Sequence, residues 1–388
     1  MLMSSIDNFI GDINKQFGES VLMKGNQVPI FDKIPFSSPR LNYMTYGGIP
    51  IGKSTELFGP ESGGKTTTAI DLAGNAQRYA TNKYEEEVFL LESEIKKLAK
   101  SDAAYAKKEL KKVEKQLAEL TEEGKRKVMW IDTEHTFEDS WAKKNGINTE
   151  ELLFFKPQQQ SAEKVLATAL KAVQTGQLIL VIIDSTPLLV SEQKREKGIE
   201  GKTYGGNASV LTDFSYVLAP ALAKHNTAMV AINQVRDDFS NPYNLYATPG
   251  GHAWKHMHAL RLLIRKGKYF DSNITELKNS ANEPQGNFVR VRIKKTKCCK
   301  PDRNDGFYTL NYGTGIDIIN DTVDVAIYND LMSQRGSWYY ILEEGGVVKE
   351  IDGEEIKFQG RRNVVEYFEN NEDAFEELYV KLNEKILE

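Results

Sequence analysis

A glycine-rich segment at residues 59–66, GPESGGKT, has the residue types and spacing needed to hold a phosphate chain. It fits the pattern G-x-x-x-x-G-K-[ST] in full, between a predicted strand and a predicted helix, and this context argues against a chance match. Its glycines let backbone N–H groups converge on phosphate oxygens, and the N-terminus of the following helix adds partial positive charge. Lys65 is expected to reach the β- and γ-phosphates and the Thr66 hydroxyl to ligate Mg²⁺. The predicted nucleotide-binding residues here are Gly59, Pro60, Glu61, Ser62, Gly63, Gly64, Lys65, Thr66 and Thr67.

Polar residues follow three further predicted strands. Asp184 comes directly after six apolar residues, and a carboxylate there is costly if it is buried without a partner, so we expect it to be a second Mg²⁺ partner. The alternative is a cap for the next segment. Glu134 lies just past another strand, where it could deprotonate a water that attacks the γ-phosphate. Asn233 and Gln234 end the third strand, and an amide there could respond to the γ-phosphate.

The elements that must position these residues alternate between helix and strand, which predicts an α/β fold with a mostly parallel sheet and helices on its faces. The carboxyl ends of such strands meet in one ligand crevice. Apolar residues at helical spacing within residues 1–33 predict a helical arm, and from about Ile318 the pattern becomes short, acidic and α+β. The predicted organisation is an N-terminal arm at 1–33, a P-loop ATPase core at 34–317 and a small C-terminal α+β domain at 318–388. The arm is expected to pack on its own domain or, as an oligomerisation arm, on a neighbouring subunit.

Residues 83–126 differ from the rest of the core in composition, since Lys, Glu, Ala and Leu dominate. Two heptad stripes, out of phase with each other, predict a projecting helical hairpin with a break near Ser101–Asp102. The alternative is a strand within residues 85–94, because Val88–Leu91 is a continuous apolar run. The hairpin suits a partner-binding role, and a merely solvated elaboration is the other interpretation.

Length and composition exclude several classes of protein. The chain has 388 residues, 50 Lys and Arg against 55 Asp and Glu, and two adjacent cysteines, Cys298 and Cys299. Its longest strongly apolar run has six residues, at 178–183, which is far short of a membrane span. Two cysteines are too few for a disulfide framework. We therefore expect a soluble cytoplasmic protein with no membrane partner.

The charge is distributed unevenly along the chain. Residues 252–268 carry five basic and no acidic residues, and residues 286–303 carry seven basic residues against one acidic residue. Residues 341–388 carry 14 acidic and 6 basic residues. A basic middle can bind a phosphate backbone although the whole chain has a net charge of −5, because the local field decides such binding.

Five motifs together resemble those of the bacterial RecA-type recombinases in order and spacing: GPESGGKTTTA, WIDTEH, VIIDS, AINQVR and TPGGHA. The arm matches as well, at residues 12–23, and the resemblance covers nearly the whole chain except 83–126. Its divergence resembles that of a phage-encoded relative. The resemblance implies a RecA-like core that binds ATP and Mg²⁺, assembles into a helical filament on single-stranded DNA and pairs it with homologous double-stranded DNA. Single-strand-binding or mediator proteins are further candidate partners.

The resemblance also implies roles for individual residues. Glu134 takes the position of the general base, and Gln234 that of the γ-phosphate sensor linked to a DNA-binding loop. Trp141 and Tyr312 fall where aromatic residues flank adenine, and Glu138 is expected beside them as a nucleotide contact.

Two lysines, Lys295 and Lys297, match a pair that reaches across the subunit interface onto the neighbour's ATP. Bridging cations of this type can raise the rate of phosphoryl transfer by about 10³–10⁵. The alternative interpretation of this segment is a solvated basic strand.

DNA binding is expected to involve two sites. The primary site would be built from loop one, roughly residues 192–206, and loop two, roughly residues 236–251, where aromatic residues can stack on bases without reading sequence. Ordinary loop packing is the alternative for each aromatic. The candidate residues of the primary site are Tyr204, Gly205, Arg236, Phe239, Tyr243, Tyr246, Gly250, Gly251 and His252. A second, weaker site is expected to use Arg265, Lys266, Arg290 and Arg292.

Three features depart from the family pattern, and two other functions compete with strand exchange. The insertion at 83–126 has no counterpart in that pattern. Ser209 and Tyr216 stand where arginines that contact phosphate are expected, and the long acidic tail of the family is absent, although residues 341–388 are acidic throughout. The first competing function is a hexameric ring helicase or translocase on the same core. The second is a regulatory protein that uses ATP only as a switch.

Overall fold

The structure is a computed structural model that describes residues 5–17, 22–27, 31–101, 104–197, 206–237, 246–271, 274–277, 283–343, 345–351 and 353–388. The chain divides into two compact units, Met1–Asp32 and Lys33–Glu388. Among the described helices, none has both the length and the apolar character needed to span a bilayer. The helices are α1 (Ser5–Phe17), α2 (Pro39–Thr45), α3 (Lys65–Leu98), α4 (Ala104–Glu123), α5 (Asp139–Lys144), α6 (Ala162–Gln174), α7 (Glu192–Lys197), α8 (Gly206–Lys224), α9 (Gly251–Met257), α10 (Ile318–Tyr328), α11 (Arg361–Asn370) and α12 (Glu372–Leu387).

The strands form one large sheet and several small ones. They are β1 (Lys33–Ile34), β2 (Ile49–Pro50), β3 (Ser54–Gly59), β4 (Lys127–Asp132), β5 (Leu153–Phe155), β6 (Leu178–Asp184), β7 (Ala228–Gln234), β8 (Arg236–Asp237), β9 (Tyr246–Ala247), β10 (Leu260–Phe270), β11 (Gly286–Thr296), β12 (Asp305–Asn311), β13 (Gly315–Ile316), β14 (Met332–Arg335), β15 (Trp338–Ile341), β16 (Glu350–Ile351), β17 (Glu354–Glu355) and β18 (Lys357–Gln359).

The large sheet contains nine of these strands within the described residues, in the order β13-β12-β11-β10-β3-β7-β6-β4-β5. The six strands from β10 to β5 are parallel to their neighbours, whereas β11, β12 and β13 extend the sheet antiparallel. The predicted α/β fold with a mostly parallel central sheet is confirmed. Because β3, β4, β6 and β7 run the same way, their carboxyl ends meet at one edge, where the predicted site residues lie.

Two apolar clusters cover the two faces of this sheet. On one face, Ile70 and Ala73 of α3 pack with Leu57 of the adjacent strand. On the other face, Val165 of α6 and Leu218 of α8 pack in the second cluster. Every residue of β3 and β6 is buried. Each fully buried large aliphatic side chain contributes about 1.5–3 kcal/mol, so these layers hold the strand ends rigidly.

The predicted helical hairpin is confirmed, and the alternative strand within residues 85–94 is wrong because these residues lie inside α3. α3 has 34 residues, about 50 Å of helix, and continues without a break from the glycine-rich loop into the insertion. The half-buried residues Tyr84, Val88 and Leu91 step by four and three, whereas Phe89 and Leu90 are exposed. The helical period therefore prevails over the continuous apolar run.

The sequence predicts a helical arm at residues 1–33 and a small α+β domain at residues 318–388. In Met1–Asp32, Asn14 of α1 exchanges hydrogen bonds of 2.7 and 2.9 Å with the backbone of Leu22. At the C-terminus a three-stranded sheet, β14-β15-β18, packs with α10, α11 and α12 around Val323 and Phe368.

Candidate functional site

The glycine-rich loop forms a phosphate-sized cradle between β3 and α3. β3 ends at Gly59, where a Cβ atom would lie 1.9 Å from the carbonyl oxygen of Ile264, so only glycine fits. Gly64 takes a left-handed φ of 97° just before the helix begins. The Lys65 ammonium donates to the Pro60 carbonyl oxygen at 2.6 Å. Burial lowers the pKa of Lys65, while the carboxylates of Glu134 and Asp184 oppose this shift.

The Glu134 carboxylate lies at the same edge, between the ends of β6 and β7. Its Oε1 accepts a hydrogen bond from Ser185 Oγ at 2.5 Å and one from Gln234 Nε2 at 3.3 Å. Asp132 orders the turn that carries Glu134. The Asp132 carboxylate accepts the backbone N–H groups of His135 at 2.8 Å and Phe137 at 3.3 Å. The two predicted chemical groups, a base and an amide, are therefore in direct contact.

Asp184 ends β6 with its side chain buried, and its Oδ1 atom has no hydrogen-bond partner among the described residues. Burial, and then the nearby Glu134 carboxylate, raise the pKa of Asp184 to about 7, and the Thr66 hydroxyl and Lys65 oppose the shift. A buried carboxylate oxygen without a partner, facing a threonine hydroxyl at the phosphate cradle, fits Mg²⁺. This cation keeps several waters and takes few protein ligands beside the phosphates. The alternative of a cap is not supported, because the residue at the N-cap position of the short helical turn Thr186–Leu188 is Ser185, not Asp184.

A cleft of about 540 Å³ opens beside the glycine-rich loop. It brings together most of the residues predicted to bind nucleotide, while Gly59, Pro60 and Glu61 do not line it. Asn287 fixes one wall by accepting the Tyr312 hydroxyl at 2.8 Å. The lining residues are Ser62, Gly63, Gly64, Lys65, Thr66, Thr67, Glu138, Trp141, Lys266, Asn287, Leu310 and Tyr312.

Lys266 was predicted for the second DNA site, and the structure puts it in the wall of this cleft. Its ammonium donates to the Tyr269 hydroxyl at 2.6 Å and lies 4.2 Å from the centre of that ring. The hydrogen bond to Tyr269 raises the pKa of Lys266. A cation at this position can face a nucleotide as well as a DNA strand.

Lys295 and Lys297 contact a helix of their own protomer. The Lys295 ammonium donates to the carbonyl oxygens of Lys255 at 2.7 Å and His256 at 2.9 Å, and the Lys297 ammonium donates to His256 at 3.1 Å. Both therefore cap the C-terminus of α9, the helix that follows loop two. Partial burial, and then the charges of Lys297 and Arg261, lower the pKa of Lys295 to about 8.

A buried ion pair that was not predicted from the sequence links the sheet to loop two. Glu56 in β3 is fully buried and lies 2.5 Å from Arg261, its partner in the adjacent strand. Asn233 Nδ2 donates to the other Glu56 oxygen at 2.8 Å and to the Pro249 carbonyl at 3.1 Å. A charged residue inside a predicted central strand was the available signal, because a buried charge requires a partner.

The DNA-binding predictions fall partly outside the described residues: Tyr204, Gly205, Phe239 and Tyr243 are not described, and nor is the side chain of Tyr246. Loop one begins as helix α7, and loop two begins and ends as the paired strands β8 and β9. Arg236 and His252 are exposed. Gly250 and Gly251 both have positive φ. A Cβ at Gly250 would lie 2.7 Å from the Trp254 ring, so packing against this ring by itself accounts for a glycine at position 250.

Three of the four residues predicted for the second DNA site share one region of the antiparallel strands. Arg265 in β10 lies directly opposite Arg290 in β11. Arg290 and Arg292 both pair with the Asp305 carboxylate, at 2.8 and 2.5 Å. The hydrogen bond from Arg290 lowers the pKa of Asp305 to about 2.

On α8, Ser209 and Tyr216 are exposed, as phosphate-facing residues would be.

The fold and this site define a P-loop nucleotide-binding protein with a RecA-like core. The RecA N-terminal domain family matches residues 4–108 and 108–317, and the chain therefore belongs to the RecA family. The two matched segments meet inside the helical hairpin, at residue 108.

Individual relatives extend over almost the whole chain. The sequence is 28% identical over 385 residues to "Protein RecA" of Thermus aquaticus, covering 98% of this chain and 94% of the relative. It is 29% identical over 377 residues to "Protein RecA" of Leptospira meyeri, covering 95% of this chain and 79% of the relative. A solved structure, the RadB recombinase, aligns with a TM-score of 0.44 and 18% identity, over 71% of this chain and 95% of that one.

Proposed function

We propose that this protein is an ATP-dependent DNA recombinase that forms a helical filament on single-stranded DNA. In that filament it would pair the bound strand with a homologous duplex and exchange strands, and DNA would stimulate its ATP hydrolysis. Membership of the RecA family supports the proposal, as do the proteins named RecA that resemble the chain over nearly its full length. We expect a cytoplasmic protein that works with single-strand-binding or mediator proteins.

The observation that carries the proposal is the contact between Gln234 and Glu134 beside the phosphate cradle. In this mechanism the cradle and Lys65 hold the triphosphate, and Glu134 takes a proton from the attacking water. Mg²⁺, held by Thr66 and Asp184, would neutralise charge on the phosphates. Gln234 ends β7, and loop two follows directly, so a change at the γ-phosphate would reach the expected DNA-binding loop through a single residue.

We place ATP at the boundary between protomers. Trp141 and Tyr312 line the cleft for the base, and Lys295 and Lys297 would supply positive charge to the ATP of the neighbouring protomer. Because both lysines cap α9, engaging a neighbour's phosphate would alter the capping of the helix that follows loop two. Assembly, hydrolysis and DNA binding would then be coupled. A heterologous interface that does not close gives a filament rather than a ring.

Negative-stain imaging of the full chain with single-stranded DNA and a slowly hydrolysed ATP analogue tests the proposal. Helical filaments that also exchange strands between a labelled single strand and a homologous duplex would support it. Closed six-membered rings with unidirectional unwinding would indicate the helicase instead. Particles that neither assemble nor exchange strands would leave only a nucleotide switch.

A further inference from the structure

The helical hairpin leaves the core on the side opposite the site described above. α3 begins at the carboxyl edge of the parallel strands and is buried only as far as Ala80. The remaining 18 residues, 81–98, extend about 27 Å beyond the core. Arg126 fixes the other end of the hairpin by donating to the carbonyl oxygens of Gly176 at 3.2 Å and His225 at 2.7 Å, both at the amino edge.

Charge is segregated along this hairpin. The hairpin base, residues 84–94 and 113–123, carries nine glutamates and one lysine. The hairpin tip, residues 95–112, carries seven lysines against two acidic residues, a net charge of +5. All seven are exposed: Lys96, Lys97, Lys100, Lys107, Lys108, Lys111 and Lys112. Among the described residues, only Lys112 of these seven is within ion-pair distance of a carboxylate, at 3.7 Å from Glu109.

The helical geometry concentrates these lysines further. Positions 107, 108, 111, 112 and 115 fall on one side of α4, while Ala106 and Val113 are buried on the side that packs against α3. Lysines four residues apart on a helix repel each other, and lysines in its first turns oppose the helix dipole. A hairpin that needed only solubility would alternate its charges in i,i+4 pairs. The sequence of α4 instead retains an arrangement that destabilises the isolated helix.

We propose that the hairpin tip is a sequence-independent binding site for duplex DNA, separate from the two DNA sites at the other edge. Lysine ammonium groups are point charges suited to phosphate oxygens, and protein interfaces are depleted in lysine and centred on aromatic anchors. Tyr105 is the exposed aromatic of the tip. Duplex DNA carries one negative charge per about 1.7 Å of its axis and presents a rigid rod of phosphates to a straight helix. Because the tip projects from the amino edge, it would hold a segment of duplex other than the one at loops one and two.

The test compares two variants of the full chain that each lose three positive charges from exposed helical lysines. The tip variant is Lys96→Gln with Lys107→Gln and Lys111→Gln. The control variant is Lys164→Gln with Lys171→Gln and Lys224→Gln, on α6 and α8. Fluorescence anisotropy with a labelled duplex of random sequence measures affinity from about 50 to 200 mM salt, the range over which counterion release has a large effect.

We expect the tip variant to bind the duplex about tenfold or more weakly, and its slope of log affinity against log salt to fall by about 2–3, since each lost phosphate contact accounts for about 0.9. The control variant should match the wild type. Hydrolysis of ATP stimulated by single-stranded DNA should stay at the wild-type level in both variants, which separates this proposal from the recombinase function. Wild-type duplex affinity and salt slope in the tip variant would overturn it. If self-association changed while duplex binding did not, the tip would bind an acidic protein surface instead, and the proposal would equally be wrong.

Discussion

The Gln234 side-chain amide donates to Glu134 Oε1 at 3.3 Å, although Glu134 follows β4, Gln234 ends β7 and the two residues are 100 positions apart. The same Glu134 oxygen accepts the Ser185 hydroxyl at 2.5 Å. One carboxylate is therefore held by residues from β6 and β7 together. Any displacement of either strand end moves the group expected to activate water.

Glu134→Gln should bind ATP and DNA normally but hydrolyse ATP at least about 100-fold more slowly, because a positioned general base contributes about 10²–10⁴ in rate. The amide keeps the size of the side chain and an acceptor for Ser185. Steady-state hydrolysis with nucleotide-binding measurements checks the result, and exposed Glu150→Gln is the control. Turnover at the wild-type rate would remove Glu134 from the role of base.

Gln234→Ala should separate basal hydrolysis from its stimulation by DNA. The base and the phosphate cradle remain, so the basal rate is expected to stay within about threefold of the wild type, while single-stranded DNA adds little. The measurement is kcat with and without the oligonucleotide. Full stimulation in this variant would show that the signal reaches loop two by another route, such as the contact between Asn233 and the Pro249 carbonyl.

Sequence patterns predicted the parts of the site that lie within single segments. The glycine-rich loop, the polar strand ends and the hairpin all follow from local spacing. Contacts between side chains on different strands could not be predicted from local spacing. Lys266 lies beside a register irregularity between β10 and β11, so strand alternation alone could not assign its direction. Glu56 and Arg261 meet only because β3 and β10 are neighbours, and chain order does not give strand order.

Helix length was also beyond local patterns. The heptad stripe predicted a break near Ser101–Asp102, and α3 ends at Leu98 with α4 beginning at Ala104. The sequence predictions placed the helix after the glycine-rich loop and the insertion in separate segments. The local signal for one continuous helix is that residues 81–83 contain no glycine or proline to end it.

Lys295→Ala should bind ATP but lose most of its DNA-stimulated hydrolysis, by about 100-fold or more, if its ammonium acts on a neighbour's phosphate. Lys294→Ala is the matched control, since Lys294 is exposed on the same strand. The capping contact on α9 predicts a second, smaller effect, a loss of about 0.3–1 kcal/mol of stability. A lowered Tm with normal stimulated hydrolysis would reduce Lys295 to a helix cap.

The pH dependence of stability should contain a contribution from Asp321, a buried residue of α10. Its carboxylate accepts the backbone N–H of Arg40 at 3.0 Å and the Ser38 hydroxyl, so it joins the C-terminal region to the N-terminus of α2. Burial raises the pKa of Asp321 to about 7 from a model-compound value of 3.8, with Ser38 and Arg40 opposing the shift.

The direction of the effect follows from proton binding. Between pH 4 and 7 the folded protein holds this proton and the unfolded chain releases it, so the contribution is complete at low pH and is lost as the pH rises through about 7. Asp321→Asn keeps the acceptor but cannot ionise. Its Tm relative to wild type should therefore increase from pH 5 to pH 8, by an amount equivalent to on the order of 2 kcal/mol. Thermal unfolding across this range, with exposed Asp330→Asn as control, measures it. A difference in Tm that stays constant with pH would mean that Asp321 is ionised in the folded protein throughout, and that the Ser38 and Arg40 contacts outweigh its burial.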